Sequence, residues 1–413
     1  MTTYTKSRAA LQAEFDRILN ENLSLDLTRG KPGADQLELS DDLFEFRKSD
    51  LANLSALDIR NYGGMEGLPA MRALFGEILG LPAEQTLIGG NSSLSLMHDY
   101  LMRACQFGVD DNHRPWHERP ERKFLCPTPG YDRHFLITQQ LGFELIPIDM
   151  TDAGPNMDQV EGQVAGDPNI LGIWCVPKFS NPTGVCYSEA TIQRLASMKC
   201  QATDFRIMWD NAYAEHGFSG KRIEIANILE HCESYGNGNR VIEFASTSKM
   251  TFPGAGVAAI GASVENIERS RSQISVQSIG PDKINQARQL AKFPTIAALR
   301  DHMEKQGAIV APKFAKVDSV LQREFGNSGA VEWTRPQGGY FISLDVNDGL
   351  AGRVVDLARQ AGVALTKAGA PFPYGRDPRD RNIRIAPTFA TVEEVDRATG
   401  VLCTCIQLAM ALD

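Results

Sequence analysis

The chain reads as an α/β fold. A large domain is built on a mostly parallel seven-stranded sheet covered by helices. A smaller α+β domain is formed by the C-terminal part together with the N-terminal segment. Three observations lead there. From residue 86 to residue 263 strand-like apolar runs alternate with helix-like stretches, the mark of a parallel sheet covered on both faces. The 413 residues exceed what one simple core organises. Beyond a long helical region, the last hundred residues hold a second set of strands and helices. The expected division is 1–55 for an N-terminal arm and part of the small domain, 56–300 for the large domain and 301–413 for the small C-terminal domain.

In chain order, residues 7 to 20 place Ala10, Leu11, Phe15, Ile18 and Leu19 on one side of an amphipathic helix. The stretch Leu25-Asp26-Leu27-Thr28-Arg29-Gly30-Lys31-Pro32-Gly33 is punctuated by Gly and Pro and reads as a loop. Residues 58 to 64 read as extended and turning, and a helix follows from 69 to 79 with Pro69 at its start. The strand-like runs are 86–88, 123–126, 143–148, 170–176, 206–209, 240–245 and 257–262, with helices between most of them, such as 94–106 and 188–199. A long helical region runs from 297 to 325. After it come a strand at 339–345, helices at 351–361 and 393–409, and a strand at 382–386 that bears Arg384. No internal repeat or low-complexity stretch is present.

Composition narrows the function classes. The chain is 43% hydrophobic and 23% charged, with a net charge of -9. Sequence-independent nucleic-acid binding needs a basic face, so no nucleic-acid partner is expected. No apolar run is expected to span a membrane, and Met1-Thr2-Thr3-Tyr4-Thr5-Lys6 has no apolar signal region. The eight cysteines are scattered without a Cys-x-x-Cys pair, which suits reduced thiols in a cytoplasmic protein.

In sheets of this kind ligands sit at the carboxyl ends of the strands, and four unusual groups fall there. Lys249 ends Ser246-Thr247-Ser248-Lys249, after an apolar strand and before Met250-Thr251-Phe252-Pro253-Gly254-Ala255-Gly256, which no regular element accommodates. Partial burial of such a lysine lowers its pKa and frees its lone pair; the plainer reading is a surface loop lysine. Asp210 ends the strand at 206–209, where a buried carboxylate needs a partner; a helix cap is the plainer reading. Phe179-Ser180-Asn181-Pro182-Thr183-Gly184 follows the strand at 170–176 and is, at its simplest, a turn. Gly89-Gly90-Asn91-Ser92-Ser93 opens a helix whose backbone N–H groups suit an anion.

Taken together, the ordered set Asn181-Pro182-Thr183-Gly184, Asp210-x-Ala212-Tyr213, Ser246-x-Ser248-Lys249 and Arg384 resembles the pyridoxal-phosphate-dependent aminotransferases of the aspartate aminotransferase fold type, over nearly the whole chain. Leu27 to Pro32, Arg60-Asn61-Tyr62-Gly63-Gly64 and Pro129-Gly130-Tyr131-Asp132-Arg133-His134 are similar to a bacterial aspartate aminotransferase subgroup. The resemblance implies pyridoxal phosphate as cofactor, amino-acid and keto-acid substrates, and a homodimer with active sites shared between subunits. It implies that Lys249 holds the cofactor as an imine and shuttles a proton between substrate Cα and cofactor C4′. Asp210 would keep the pyridine nitrogen protonated, with His134 orienting it from behind. Asn181 and Tyr213 would hydrogen-bond the ring's phenolic oxygen, and Tyr131 would stack on the ring. Asn91, Ser92, Ser246 and Ser248 would hold the phosphate. Arg384 would fork onto the substrate α-carboxylate, Gly30 would lie against the substrate, and Tyr62 would reach the neighbouring subunit's phosphate. The implied reaction moves the amino group of aspartate to 2-oxoglutarate. A β-lyase, a decarboxylase and a non-catalytic amino-acid sensor are the alternatives on the same fold.

Two departures from the family pattern matter. Many relatives carry a phosphate-binding arginine eight residues after the lysine, and here that position is Val257. If the segment is extended, residues two apart point the same way, and Arg60 is then a candidate substitute, arriving with Tyr62 from the other subunit; the plainer reading is a surface Arg60 in an ion pair or one that braces the dimer. The region 276–281 also lacks an arginine for a substrate's side-chain carboxylate; Arg29, Lys31, Arg133 and Lys283 are the candidates. Ser246-x-x-Lys249 also fits an acyl-enzyme motif, but its companion Ser-Asp-Asn and Lys-Thr-Gly motifs are absent from the sequence. His113 and His117 have ligand spacing, but Pro115 lies between them and no metal is expected.

Overall fold

Across the large sheet the strands run in the order Thr86–Ile88, Ala258–Ala262, Val241–Ser246, Arg206–Asp210, Ile170–Cys175, Lys123–Thr128, Glu144–Thr151 and Gly154–Pro155. The computed structural model that establishes this order describes residues 6–51, 58–218, 220, 222–326 and 328–412. The central pairings are parallel, and Ala258–Ala262 is antiparallel to both of its neighbours. The seven runs read from the sequence are all in this sheet. The additional two-residue strand, Gly154–Pro155, pairs with Met150 and Thr151; two residues carry no periodic signal.

Near-continuous burial explains why these segments are strands. Ile170–Cys175, Arg206–Asp210 and Val241–Ser246 are buried at every position, as expected for strands covered on both faces. Helices on either side present apolar stripes to them. Pro69–Leu79 buries Met71, Leu74, Phe75, Ile78 and Leu79, has Pro69 at its first position and stops at Gly80 in the left-handed region. Ser93–Phe107 is capped by the Ser92 side chain, which accepts from the Ser95 amide.

A second core holds the N-terminal helix Arg8–Leu19 against the C-terminal elements, with Leu11, Phe15 and Ile18 packed among Val317, Leu321, Ile383 and Leu402. Its three-stranded sheet pairs Ile342–Asp345 with Glu332–Trp333 and with Asn382–Ile385, both antiparallel, and a separate two-strand pair joins Leu25–Asp26 to Val363–Ala364. The 30-residue helix Ile296–Phe325 serves both cores. Leu299 and Met303 belong to the large one and Val310 to Phe325 to the small one. The division after residue 300 therefore falls inside a continuous helix, and the division after residue 55 lies outside the described residues.

One expectation needs correcting. Val392–Leu412 is 21 residues long and apolar enough to cross a membrane by length and composition. The sequence places a helix at 393–409, but Thr399, Gly400 and Thr404 interrupt its apolar pattern, so it does not read as an apolar run. Sixty-seven per cent of its most apolar window is buried within the protein, against Arg8–Leu19 and Ile296–Phe325.

Glu243 is the anomaly of the sheet. It sits mid-strand opposite Trp209 and Gly261, is 2% exposed, and its Oε1 has no hydrogen-bond partner. Burial pushes its carboxyl up to about 8. An acid whose folded pKa is raised contributes stability that is complete below the unfolded value and is lost as pH rises through the folded one. Each tenfold change in proton affinity is worth about 1.4 kcal/mol. Glu243→Gln keeps the shape without the charge. Its melting temperature should gain on the wild type steadily from pH 5 to pH 8 and then level off; a gap that does not change with pH would show that Glu243 ionises as freely in the folded chain as in the unfolded one.

Candidate active site

The parallel strands Ile170–Cys175, Arg206–Asp210 and Val241–Ser246 end side by side, and the loops that follow them meet the start of helix Ser93–Phe107. Between them lies a cavity of ≈ 180 Å³. Ser92, Tyr131, Asn181, Asp210, Tyr213, Ser246, Ser248 and Lys249 all line it. Residues 157 positions apart in sequence are thus brought to one place by strand order.

Asp210 is the last residue of its strand and is 3% exposed. His134, 1% exposed, donates from Nε2 to Asp210 Oδ2 at 2.9 Å. The imidazole is stacked on Trp174, with centroids 4.1 Å apart and planes 7° apart, and meets Tyr131 edge-on at 4.8 Å. The other carboxylate oxygen, Oδ1, is buried and has no partner. A buried carboxylate oxygen left bare is costly unless a donor arrives to meet it. Asp210 therefore presents a fixed acceptor to whatever occupies the cavity.

Lys249 stands in the turn that follows Val241–Ser246, not in a helix. Tyr340 donates its hydroxyl to the Lys249 carbonyl at 3.1 Å, and Lys249 Nζ lies 4.9 Å from the centroid of the Tyr213 ring. Burial lowers the lysine's pKa, and the charge of Asp210 opposes that shift in part. Tyr213 is 2% exposed, and burial raises its phenol above the ordinary range, so it remains a donor. Burial likewise pushes Tyr131 up to about 12.

At the other end of the cavity the groups are hydroxyls and a helix start. Ser248 donates to the Asn91 carbonyl at 2.7 Å, and Asn91 Nδ2 donates to Gly254 O at 3.4 Å. Asn91 is exposed and stands beside the cavity rather than in its wall. Val257 is 2% exposed with its side chain in the large core, so no cation comes from that position.

Arg384 comes from the small domain, on Asn382–Ile385, and is 8% exposed. Its Nη1 donates to Asp132 Oδ1 at 2.9 Å and to Asn181 Oδ1 at 3.4 Å, and its Nε and Nη2 donate to Thr366 Oγ1 at 3.4 and 3.3 Å. The guanidinium lies 5.0 Å from the Phe341 ring centroid. A Cβ on Gly30 would fall 2.4 Å from Phe341 Cζ, so glycine there lets Phe341 come in beneath Arg384.

Tyr62 and Arg60 are outside this cavity. Tyr62 is 81% exposed. The expectation of an extended segment is corrected: residues 58–62 turn, with the Asn61 amide bonded to Asp58 O at 3.1 Å, so alternation by two does not apply. Arg60 Nε is paired with Asp58 Oδ1 at 2.9 Å within its own chain. Lys283 is committed to the carbonyls of Asn61 and Gly63. Lys31 sits over the Phe389 ring at 3.6 Å, and Arg29 and Arg133 are exposed. Sequence reasoning missed Trp174, Phe341, Thr366 and Asp132 as site residues. Asp132 lay in view between Tyr131 and His134; the others carry no local signal.

The chain matches a family model described as aspartate amino-transferase over residues 2–412. The aspartate aminotransferase of Corynebacterium glutamicum is 43% identical over 402 residues, 97% of this chain and 93% of that protein. A crystal structure of an aspartate transaminase from the same species has a TM-score of 0.95 at 42% identity, covering 98% of this chain and 96% of that one. The aspartate aminotransferase of Thermus thermophilus with maleate has a TM-score of 0.69 at 17% identity, with 97% of each chain covered, a likeness of fold alone.

Competitive labelling of lysines in protein stripped of small molecules tests the electrostatics directly. Lys249 should titrate below the ordinary lysine range. Asp210→Asn, which removes the charge opposing that shift, should move it lower still. A Lys249 that titrates like a surface lysine would refute the account of its burial.

Proposed function

The chain belongs to the aspartate aminotransferase family and is an aminotransferase, and from that we propose that it moves the amino group of aspartate to 2-oxoglutarate with pyridoxal phosphate held on Lys249. The observation that carries the cofactor is the bare, buried Oδ1 of Asp210. A protonated ring nitrogen is a donor that would satisfy it. The Ser246 and Ser248 hydroxyls and the start of helix Ser93–Phe107 suit a phosphate at the other end. When bound, the cofactor supplies an electron sink that acidifies the proton on substrate Cα.

The remaining work belongs to the protein. Lys249 would hold the cofactor and, once free, carry the proton at substrate Cα; the burial that lowers its pKa favours the neutral amine a base needs. Asp210 would hold the ring nitrogen's proton in place, and His134, clamped by Trp174, fixes the carboxylate that does so. Tyr131 would lie on the ring, with Asn181 and Tyr213 hydrogen-bonded at its edge. Arg384 would take the α-carboxylate, where a planar fork matches two oxygens. Aspartate as donor is supported by the name and close similarity of the C. glutamicum protein.

A homodimer with shared sites is part of the same proposal. Tyr62, Val276 and Ile279 are 81%, 90% and 62% exposed, and the Gly63 amide ties the first segment to Ile279 O at 3.0 Å. Such an apolar cluster suits a subunit interface. Tyr62 would reach the partner's phosphate from there, and Arg60 could join it only by exchanging Asp58 for that anion. Eight free thiols, six of them buried, suit the reducing cytoplasm.

A screen of amino donors against 2-oxoglutarate tests the reaction: aspartate should give the highest kcat/KM, and release of ammonia without amino transfer would point to a lyase instead. Lys249→Ala should lose the absorption band of the lysine-bound cofactor and nearly all turnover. Arg384→Ala should weaken every substrate alike, and a loss confined to dicarboxylates would show that Arg384 reads the side chain.

A further inference from the structure

Resting on the reading that Arg384 takes the substrate α-carboxylate, we propose that Asp132 is a competing carboxylate. It pairs with Arg384, yields it to the substrate, and so sets affinity for every amino-acid and keto-acid substrate alike.

The argument starts from how the guanidinium is spent. Its Nε and Nη2 share the Thr366 hydroxyl, a neutral group whose own proton goes to Thr28 O at 2.8 Å. Its Nη1 is divided between the Asn181 amide oxygen at 3.4 Å and the Asp132 carboxylate at 2.9 Å. Asp132 is the shortest of these contacts and, among the described residues, the only one that brings a countercharge. Phe341 lies along one face of the fork. An arriving carboxylate must take Nη1 from Asp132 or crowd in beside it. Crowding would put two negative charges on one positive charge in a place where Arg384 is 8% exposed and water screens poorly.

Asp132 has somewhere to go. Its side chain is 27% exposed, and it is the first residue of helix Asp132–Gln140, where unpaired backbone N–H groups and the helix dipole favour a carboxylate. The exchange therefore swaps one carboxylate for another on Arg384 and leaves Asp132 beside a favourable helix end. A purely structural Asp132, bracing Arg384 in its rotamer, predicts the opposite result: removing its charge would loosen the fork and weaken binding.

Calorimetry on the holoenzyme separates the two, with succinate and propionate as probes because neither has an amino or keto group to react. Asp132→Asn keeps the shape and removes the charge. Both probes should bind more tightly, by about threefold or more and by the same factor, and Arg384→Ala should abolish the binding of propionate. Unchanged or weaker binding in folded Asp132→Asn protein would overturn the proposal. So would tightening for succinate alone, which would put Asp132 near a side-chain carboxylate instead. If Asp132→Asn does not fold or load cofactor, Asp132→Ser carries the same expectation. A wild type that lacks transaminase activity yet shows the Asp132-dependent gain would count against the reaction and for the competition. Normal turnover with no gain would count against Asp132 alone.

Discussion

The hydrogen bond from His134 to Asp210 is the constraint on which the site depends. A carboxylate 3% exposed at the end of a central strand cannot keep its charge without partners. One oxygen is held at 2.9 Å by an imidazole that is itself pinned flat against Trp174, and Trp174 in turn packs against Phe124 in the large core. The direction of the free oxygen is thus set by packing that reaches back into the sheet. Lys249 feels the same carboxylate: burial makes its amine easier to deprotonate, and Asp210 limits how far. One carboxylate therefore governs both the bare acceptor and the amine of the cavity.

The two cores divide the labour. The large sheet supplies the cavity, because parallel strands bring their carboxyl ends to one edge. The small domain supplies Arg384 on Asn382–Ile385, and the long helix Ile296–Phe325 links the two as a continuous element. Arg384 crosses back to the large domain through Asp132 and Asn181, so its guanidinium is an interdomain contact. Gly30, Phe341 and Thr366 shape its surroundings. The close approach of Phe341 to Gly30 shows why a side chain at that glycine would disturb Arg384 from a distance.

Much of the fold was legible because its signals are local. The seven principal strands showed as short apolar runs, the helix Pro69–Leu79 showed its proline start and glycine stop, and the residues lining the cavity fell at strand ends in a telling order. Where the reading went astray, the signal was missing or misleading. Val392–Leu412 reads as a helix at 393–409 but not as an apolar one, because small polar residues that the core tolerates interrupt it; Thr399 bonds back to its own helix at Val395 O. Residues 58–64 read as extended and turning, and at 58–62 the turn wins, because the Asp58 carboxylate accepts from the Arg60 amide and closes it.

The sequence by itself determined the periodicities, the caps and turns, the order of strand-end groups and the absence of a cation at position 257, since each depends on neighbours a few residues apart. Only the tertiary structure decided that Trp174 clamps His134, that Glu243 is buried without a partner and that Asp132 sits on Arg384. The last pair is 252 residues apart in sequence. Which distant groups meet is set by strand order, register and the docking of one domain on the other. A charge's partner depends on that placement, and a sequence records only that the charge exists.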